Sequence, residues 1–226
     1  MKTIATVAVI GSGTMGHGIA QVAAQAGCTV RLADALPGAA DKGLARIARN
    51  LDGAVERGKL TADGRRLTLE RIAAVADIAT AATGADLLIE AAPEQLDIKQ
   101  ELFRRAEAVL APGGILATNT SSLSIRAIAA AVQHPERVIG MHFFNPVHVM
   151  KLVEIVVHEG TAPDVREAVV QLGTAMGKEP IVVKDSPGFA SSRLGIALGL
   201  EAIRMLESGV ASAEGEPSTA DSSSMY

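Results

Sequence analysis

Three glycines near the start of the chain, at positions 11, 13 and 16, have the spacing G-x-G-x-x-G. They follow a β-branched apolar run, Ile4–Ile10, which is typical of a buried parallel strand. In that setting Gly11 permits a tight turn, Gly13 lets the backbone approach a pyrophosphate, and Gly16 lets the next helix close onto the strand. The residues whose amides could bind the phosphates are Gly11, Ser12, Gly13, Thr14, Met15 and Gly16. The spacing therefore predicts a dinucleotide-binding turn.

An acidic residue follows where such a site needs one. A second predicted strand, Thr29–Ala33, ends at Asp34, 18 residues after Gly16. A carboxylate at about 20 residues past the glycines binds a ribose 2′-hydroxyl, and its charge would repel the extra phosphate of NADP. Because no arginine immediately follows Asp34, we predict that the cofactor is NAD.

The elements that position these residues alternate between apolar strands and amphipathic helices. This alternation predicts an α/β fold, a doubly wound, mostly parallel sheet over residues 1–186, with ligand sites at the carboxyl ends of its strands. The predicted strands after the first two are Asp86–Ala91, Ile115–Thr118, Arg137–Phe143, Leu152–Val157 and Pro180–Lys184. The predicted helices are Met15–Ala26, Leu36–Lys59, Ala62 to about Ile72 with Thr61 as its cap, Glu94–Leu110, Ser124–Ala131 and Pro163–Met176.

The last predicted helix, Phe189–Glu207, is different because apolar residues surround most of its circumference. One face of a sheet cannot cover such a helix, so we expect residues 187–210 to be the first helix of an incomplete all-α domain. Its exposed apolar side chains predict a homo-oligomer that forms through this helix. Residues 211–226 are small and polar and are predicted to be disordered.

Composition excludes several classes of protein. A formal net charge of −4 gives no basic face for nucleic acid, and one cysteine allows neither an internal disulfide nor a cysteine-based metal site. The residues Gly11–Gly18 interrupt the apolar N-terminus, and no other segment approaches the roughly 18 uninterrupted apolar residues of a membrane span. We therefore expect a cytoplasmic protein without a metal site or a membrane partner.

Five ordered motifs between Thr3 and about Glu214 resemble those of the L-3-hydroxyacyl-CoA dehydrogenases, including the 3-hydroxybutyryl-CoA dehydrogenases. They are GSGTMGHGIA at the glycine turn, EAAPE at 90–94, NTSSL at 119–123, HFFNPVHVMKLVE at 142–154 and DSPGFASSR at 185–193. The resemblance implies oxidation of an L-3-hydroxyacyl-CoA to a 3-oxoacyl-CoA, with NAD as the hydride acceptor.

The same resemblance implies that His142 and Glu154 are the catalytic pair. An alcohol that gives up hydride must also lose its proton to a base within hydrogen-bond reach, and an imidazole can take and return that proton near neutral pH. A carboxylate on the other ring nitrogen would fix the tautomer and stabilise the imidazolium. Glu154 stands 12 residues after His142, which is the separation of the family's pair.

Four further roles follow from the resemblance, each with an ordinary alternative. Glu94 and Lys99 are expected to contact NAD, although Glu94 could simply favour a helix start and Lys99 could be its solvated neighbour. Ser121 is expected near both the nicotinamide and the substrate, and Asn145 at the substrate or coenzyme A. Alternatively, Ser121 could cap a helix and Asn145 could serve the turn before Pro146.

The chain departs from the family pattern in two places. Ser192 stands where the family usually has a catalytic-support asparagine, and its shorter side chain is expected to weaken turnover. After Glu214 the sequence diverges and stops, as a truncated or frame-shifted product would. Two alternative functions therefore stay open, a non-catalytic NAD-binding relative and a dehydrogenase of a hydroxy acid without coenzyme A.

Overall fold

Eight strands form one sheet in the computed structural model, which describes residues 3–210 and 212. They are β1 (Thr6–Ile10), β2 (Thr29–Ala33), β3 (Ile72–Ala74), β4 (Leu87–Glu90), β5 (Ile115–Thr118), β6 (Val138–Phe143), β7 (Leu152–Val157) and β8 (Glu179–Lys184). The order across the sheet is β3-β2-β1-β4-β5-β6-β7-β8. Only the β6–β7 pair is antiparallel among the pairings of this sheet, which confirms the predicted doubly wound, mostly parallel architecture.

Eight helices are described, and the first seven, which lie between strands of the sheet in chain order, cover its two faces. They are α1 (Gly16–Gln25), α2 (Ala39–Glu56), α3 (Ala62–Glu70), α4 (Ile78–Ala82), α5 (Leu96–Glu107), α6 (Ile125–Ala129), α7 (Pro163–Ala175) and α8 (Ser191–Glu207), with one 3₁₀ turn at Pro135–Arg137. The predicted start of α2 at Leu36 is wrong, because Gly38 at φ +71° turns the chain just before the helix. Thr61 caps α3 as predicted, since its hydroxyl accepts from the Gly64 amide at 3.0 Å.

The core lies on both sides of the sheet because side chains along a strand alternate between its faces. In β1, Val7 and Val9 belong to the apolar cluster that also contains buried residues of α1, α2 and α7. Ala8 and Ile10 belong to a second cluster, which contains buried residues of α4, α5 and α6. β1 is thus apolar on both faces, as a buried parallel strand is.

The sheet has its topological switch point between β1 and β4. These strands are neighbours, but the chain continues from β1 outward to β2 and from β4 in the opposite direction to β5. In such sheets the connections diverge at this point and leave a crevice at the carboxyl ends of the strands, where ligands bind.

The chain divides into two compact units, Met1–Phe189 and Ala190–Tyr226. Phe189, which the sequence had placed in the last helix, is 4% exposed within the core of the first unit and has φ +47°. This conformation, after Gly188 at φ +76°, prevents the helix from starting before Ser191. No residue of α8 is buried. Of the tail predicted to be disordered, 211–226, all but residue 212 lies outside the described residues.

Candidate active site

The glycine turn between β1 and α1 is built by close backbone approach. A Cβ on Gly11 would lie 2.5 Å from the carbonyl oxygen of Ala91, and one on Gly16 would lie 1.6 Å from that of Gly11. A Cβ on Gly13 would meet nothing within 4 Å. Gly11 and Gly16 are therefore fixed by packing, whereas the space over Gly13 is open to a pyrophosphate, which is the arrangement that a dinucleotide requires.

A cavity of about 810 Å³ opens beside this turn at the switch point. Its walls come from the turns after three neighbouring strands and from one side of α5. The lining residues nearest the predicted site are Gly11, Gly13, Thr14, Met15, Asp34, Ala91, Ala92 and Pro93. The volume is within the usual range for cofactor sites, and the lining includes five of the ten predicted cofactor-binding residues.

Asp34 is held at the wall of this cavity by hydrogen bonds from the turn. The Ser12 amide and hydroxyl donate to Asp34 Oδ2 at 2.7 and 2.8 Å, and the Leu36 amide donates to Oδ1 at 3.0 Å. Burial raises the pKa of Asp34, but the hydrogen bonds from Ser12 and Leu36 outweigh it and hold the pKa below its usual value. Ser12 is buried, with 3% of its surface exposed. Its two hydrogen bonds therefore hold the Asp34 carboxylate in a fixed orientation.

His142 and Glu154 form a buried pair at the end of β6. They are direct partners in the antiparallel β6–β7 register, which places facing side chains within reach of each other. His142 Nδ1 lies 2.6 Å from Glu154 Oε2, and the side chains are 9% and 0% exposed. An ionised carboxylate only accepts, so Nδ1 carries the proton and Nε2 is left to accept one. Phe144 and Phe189 pack against the imidazole, with ring centroids 4.5 and 5.9 Å away.

A second cavity, of about 380 Å³, brings most of the other predicted residues to this pair. It is lined by Glu94, Lys99, Asn119, Ser121, His142, Phe143, Phe144 and Asn145, together with Met15, Ala91 and Ala92. The last three residues also line the larger cavity. The dinucleotide crevice and the His142 cavity therefore share a wall, as they must if a nicotinamide is to reach the substrate.

Lys99 is buried rather than solvated, so the reading of it as a surface neighbour of Glu94 is wrong. Its side chain is 1% exposed, and its Nζ lies 2.7 Å from Glu90 Oε1 and 3.2 Å from Glu94 Oε2. It also donates to the carbonyl of Ala92 at 3.3 Å. The ammonium is therefore committed to protein acceptors.

Glu94 anchors the loop that carries Ser121. Its Oε1 accepts from the Thr120 hydroxyl, from the Ser121 amide at 3.0 Å and from the Ser122 amide at 3.2 Å. Burial raises the pKa of Glu94, but the Thr120 hydrogen bond and the charge of Lys99 lower it by more. The pKa of Glu94 therefore lies below its usual value. Ser121 does not cap a helix, because the cap of α6 is Ser124.

Ser192 lies in the first turn of α8, in the second unit.

Sequence reasoning missed Glu90 and Asp185 as individual residues, although each opens a recognised motif. Asp185 accepts from the Ser124 hydroxyl at 2.8 Å and from the Arg126 amide at 2.9 Å, and so fixes the start of α6. A charged residue at the end of an apolar strand was the signal for Glu90.

Neither a membrane span nor a metal centre is found in the part of the chain that the structure describes. No helix there is long and apolar enough to cross a bilayer, and no three His, Cys, Asp or Glu side chains are grouped to hold a metal ion. The single cysteine, Cys28, is buried at the start of β2, and that burial raises the pKa of its thiol.

Comparison with known proteins identifies the family. The profile described as "3-hydroxyacyl-CoA dehydrogenase, NAD binding domain" matches residues 6–186. The chain belongs to the 3-hydroxyacyl-CoA dehydrogenase family. The resemblance read from the five motifs is thereby confirmed, and NAD is the cofactor of this domain.

Relatives in the 3-hydroxyacyl-CoA dehydrogenase family match nearly the whole chain. The 3-hydroxyadipyl-CoA dehydrogenase of Escherichia coli is 48% identical over 214 residues, which are 95% of this chain and 45% of that protein. A probable 3-hydroxybutyryl-CoA dehydrogenase of Bacillus subtilis is 43% identical, over 93% of this chain and 73% of its own. The crystal structure of (S)-3-hydroxybutyryl-CoA dehydrogenase from Ralstonia eutropha superposes with a TM-score of 0.89 at 40% identity, over 94% of this chain and 75% of that one. The chain thus spans less than half of the first relative and about three quarters of the other two.

Proposed function

We propose that the protein oxidises an L-3-hydroxyacyl-CoA to the 3-oxoacyl-CoA with NAD, and catalyses the reverse reduction. The observation that carries this proposal is the buried His142–Glu154 pair, with Nδ1 2.6 Å from the carboxylate, in a cavity that shares a wall with the dinucleotide crevice. A base whose tautomer is fixed, next to a hydride acceptor, is the minimum that alcohol oxidation needs.

Each residue of this site has a proposed part in the reaction. His142 Nε2 takes the proton of the 3-hydroxyl, and Glu154 stabilises the imidazolium that results. Ser121 and Asn145, which both line the His142 cavity, orient the substrate oxygen. Asp34 and the backbone at Gly13 hold the cofactor, and bound NAD supplies the hydride acceptor.

The relatives support an acyl-CoA as substrate rather than a hydroxy acid without coenzyme A. The curated relatives compared above are named as dehydrogenases of 3-hydroxyadipyl-CoA and 3-hydroxybutyryl-CoA. The family profile that matches residues 6–186 is that of the 3-hydroxyacyl-CoA dehydrogenases.

The test is NADH oxidation with acetoacetyl-CoA, followed at 340 nm, beside free acetoacetate and a His142→Gln variant. We expect turnover with acetoacetyl-CoA, little with acetoacetate, and a loss of roughly a hundredfold or more in His142→Gln while NADH still binds. Equal rates with the two substrates would favour a dehydrogenase of CoA-free acids. NADH binding without turnover would favour a non-catalytic relative.

We propose further that the protein self-associates through α8 and acts in the cytoplasm. Seven large apolar side chains of α8, from Leu194 to Leu206, are more than 40% exposed, and an apolar surface of this kind recruits partners. The proposed location is supported by the one cysteine of the sequence, which stays a buried free thiol. Fluorescent tagging or cell fractionation tests the location.

A further inference from the structure

Glu90 is a fully buried carboxylate at the end of β4, one residue from the shared wall of the two cavities. Its Oε1 accepts from Lys99 Nζ at 2.7 Å and from the Ala92 amide at 2.6 Å. Its Oε2 accepts from the Thr118 hydroxyl at 2.7 Å, and Thr118 is itself fully buried. The strands β4 and β5 therefore hold this carboxylate from two sides.

Lys99 connects Glu90 to the site. It reaches from α5 to both carboxylates, Glu90 on one side and Glu94 at 3.2 Å on the other. The second carboxylate then accepts from the amides of Ser121 and Ser122 at 3.0 and 3.2 Å. An unbroken chain of charge-assisted contacts thus leads from the core of the sheet to the loop beside His142.

We propose that Glu90 and Lys99 are positioning residues of the reaction, which rests on the proposed function. The buried Glu90–Lys99 pair fixes the Glu94 carboxylate, and Glu94 fixes the Ser121 loop in the wall of the His142 cavity. Neither member of the pair is a catalytic residue. Lys99 acts on the loop through Glu94, because its side chain is 1% exposed and its ammonium is bound to three acceptors, two of which are Glu90 and Glu94.

A need for fold stability alone does not account for this arrangement. Removing ions from water costs so much that apolar residues of similar size often replace a buried ion pair at no loss of stability. A charged pair does what an apolar pair cannot, because it holds another carboxylate in one place by direction and charge. The pair should therefore be replaceable for folding but not for the order of the Ser121 loop.

The first test measures amide hydrogen exchange at Ser121 and Ser122, which needs no turnover. In the paired variant Glu90→Leu with Lys99→Met we expect these two amides to exchange about tenfold faster or more, while the core amides of β5 and the melting temperature stay near wild type. The matched control is Glu70→Leu with Arg66→Met, an exposed pair at 2.8 Å on α3, which should leave both amides unchanged. Unchanged exchange in the folded paired variant would overturn the proposal.

A milder variant covers the case in which the paired variant does not fold. Thr118→Val is nearly isosteric and deletes two hydrogen bonds of the Thr118 hydroxyl, to Glu90 Oε2 at 2.7 Å and from the Thr120 amide at 3.2 Å. Its effect is therefore compared with that of Glu90→Gln, which leaves the contact between Thr118 and Thr120 in place. We expect it to speed exchange at Ser121 and Ser122 about threefold, with no change at amides of α3. A folded Thr118→Val protein with wild-type exchange at both amides would also refute the relay.

The second test separates this proposal from the proposed function. Where the wild type turns over acetoacetyl-CoA, Glu90→Gln should lower kcat by about tenfold with little change in NADH affinity, and Ser121→Ala should cost less in that background than in wild type. Fully additive losses would mean that Glu90 does not act through the Ser121 loop. If the wild type has no turnover, the proposed function fails, and the exchange results alone decide whether the pair positions the loop.

Discussion

The single carboxylate of Asp34 determines whether the site prefers NAD or NADP. Its Oδ2 is occupied by two donors from Ser12, and the hydrogen bonds keep it ionised. We expect NADH to bind at least about tenfold more tightly than NADPH, because a second phosphate would meet this charge. Fluorescence titration of Asp34→Ser should show a smaller difference. Asp41→Asn, an acid in the first turn of α2, is the control, and equal affinities in the wild type would contradict the assignment.

Glu94 makes part of the stability depend on pH. Burial raises its pKa, but the Thr120 hydroxyl, the charge of Lys99 and the Ser121 amide lower it more, so the folded value lies below the unfolded one. Its contribution is therefore present above the unfolded pKa, about 4.5, and is lost as the pH falls through the folded pKa. Urea unfolding from pH 7 to 3.5 should show the gap between wild type and Glu94→Gln closing below about pH 4.5. A gap that is constant over this range would contradict this role.

Some residues of the candidate site could be predicted from the sequence, and others could not. The glycines and Asp34 are readable because backbone geometry and a ribose impose their spacing. The contact of His142 with Glu154 follows from strand register once β6 and β7 are known to be antiparallel. The Glu90–Lys99 pair could not be read in this way, because it depends on the burial of a helix side chain against a neighbouring strand.

In the turn between β1 and α1, one glycine is needed for folding and another for binding the cofactor. Gly16→Ala places a Cβ 1.6 Å from the carbonyl oxygen of Gly11, and we expect it to lower the urea midpoint by the equivalent of about 1–3 kcal/mol or more. Gly13→Ala has no such clash, so it should unfold like wild type but bind NADH at least about tenfold more weakly. The two variants control for each other. Similar losses of stability in both would contradict the separation.

Element bounds could be predicted where the chain gives a strong local signal. The limits of β5 and β7 agree with the sequence, since short apolar runs end there at turn residues or charges. The three-residue β3 and the five-residue α4 were missed. Elements of this length carry too little periodicity to be seen, and pairing with β2 and packing against the sheet stabilise them.

For the whole molecule, the sequence predicted the doubly wound sheet because an alternation of strands and helices is compatible with only a few topologies. Helical crossovers between the parallel strands β1 to β6 place the turns after these strands at one end of the sheet. The antiparallel β7 is the exception that matters, because it runs back beside β6 and brings Glu154 to His142. The fold thus supplies both halves of the site, the dinucleotide crevice from its parallel part and the base from its antiparallel pair.

The exposed apolar surface of α8 predicts self-association of the protein. Leu198 and Ile203 are 73% and 51% exposed, and fully burying side chains of this size contributes about 1.5–3 kcal/mol each. We therefore expect the protein to sediment as a dimer or a larger species, and Leu198→Glu with Ile203→Glu to shift it toward the monomer. NADH affinity should be nearly unchanged, because the residues of the dinucleotide crevice all belong to the first unit. The control is Glu201→Gln with Arg204→Gln, an exposed ion pair of the same helix, which should keep the wild-type association. A wild-type protein that is already monomeric at micromolar concentration would refute association through α8.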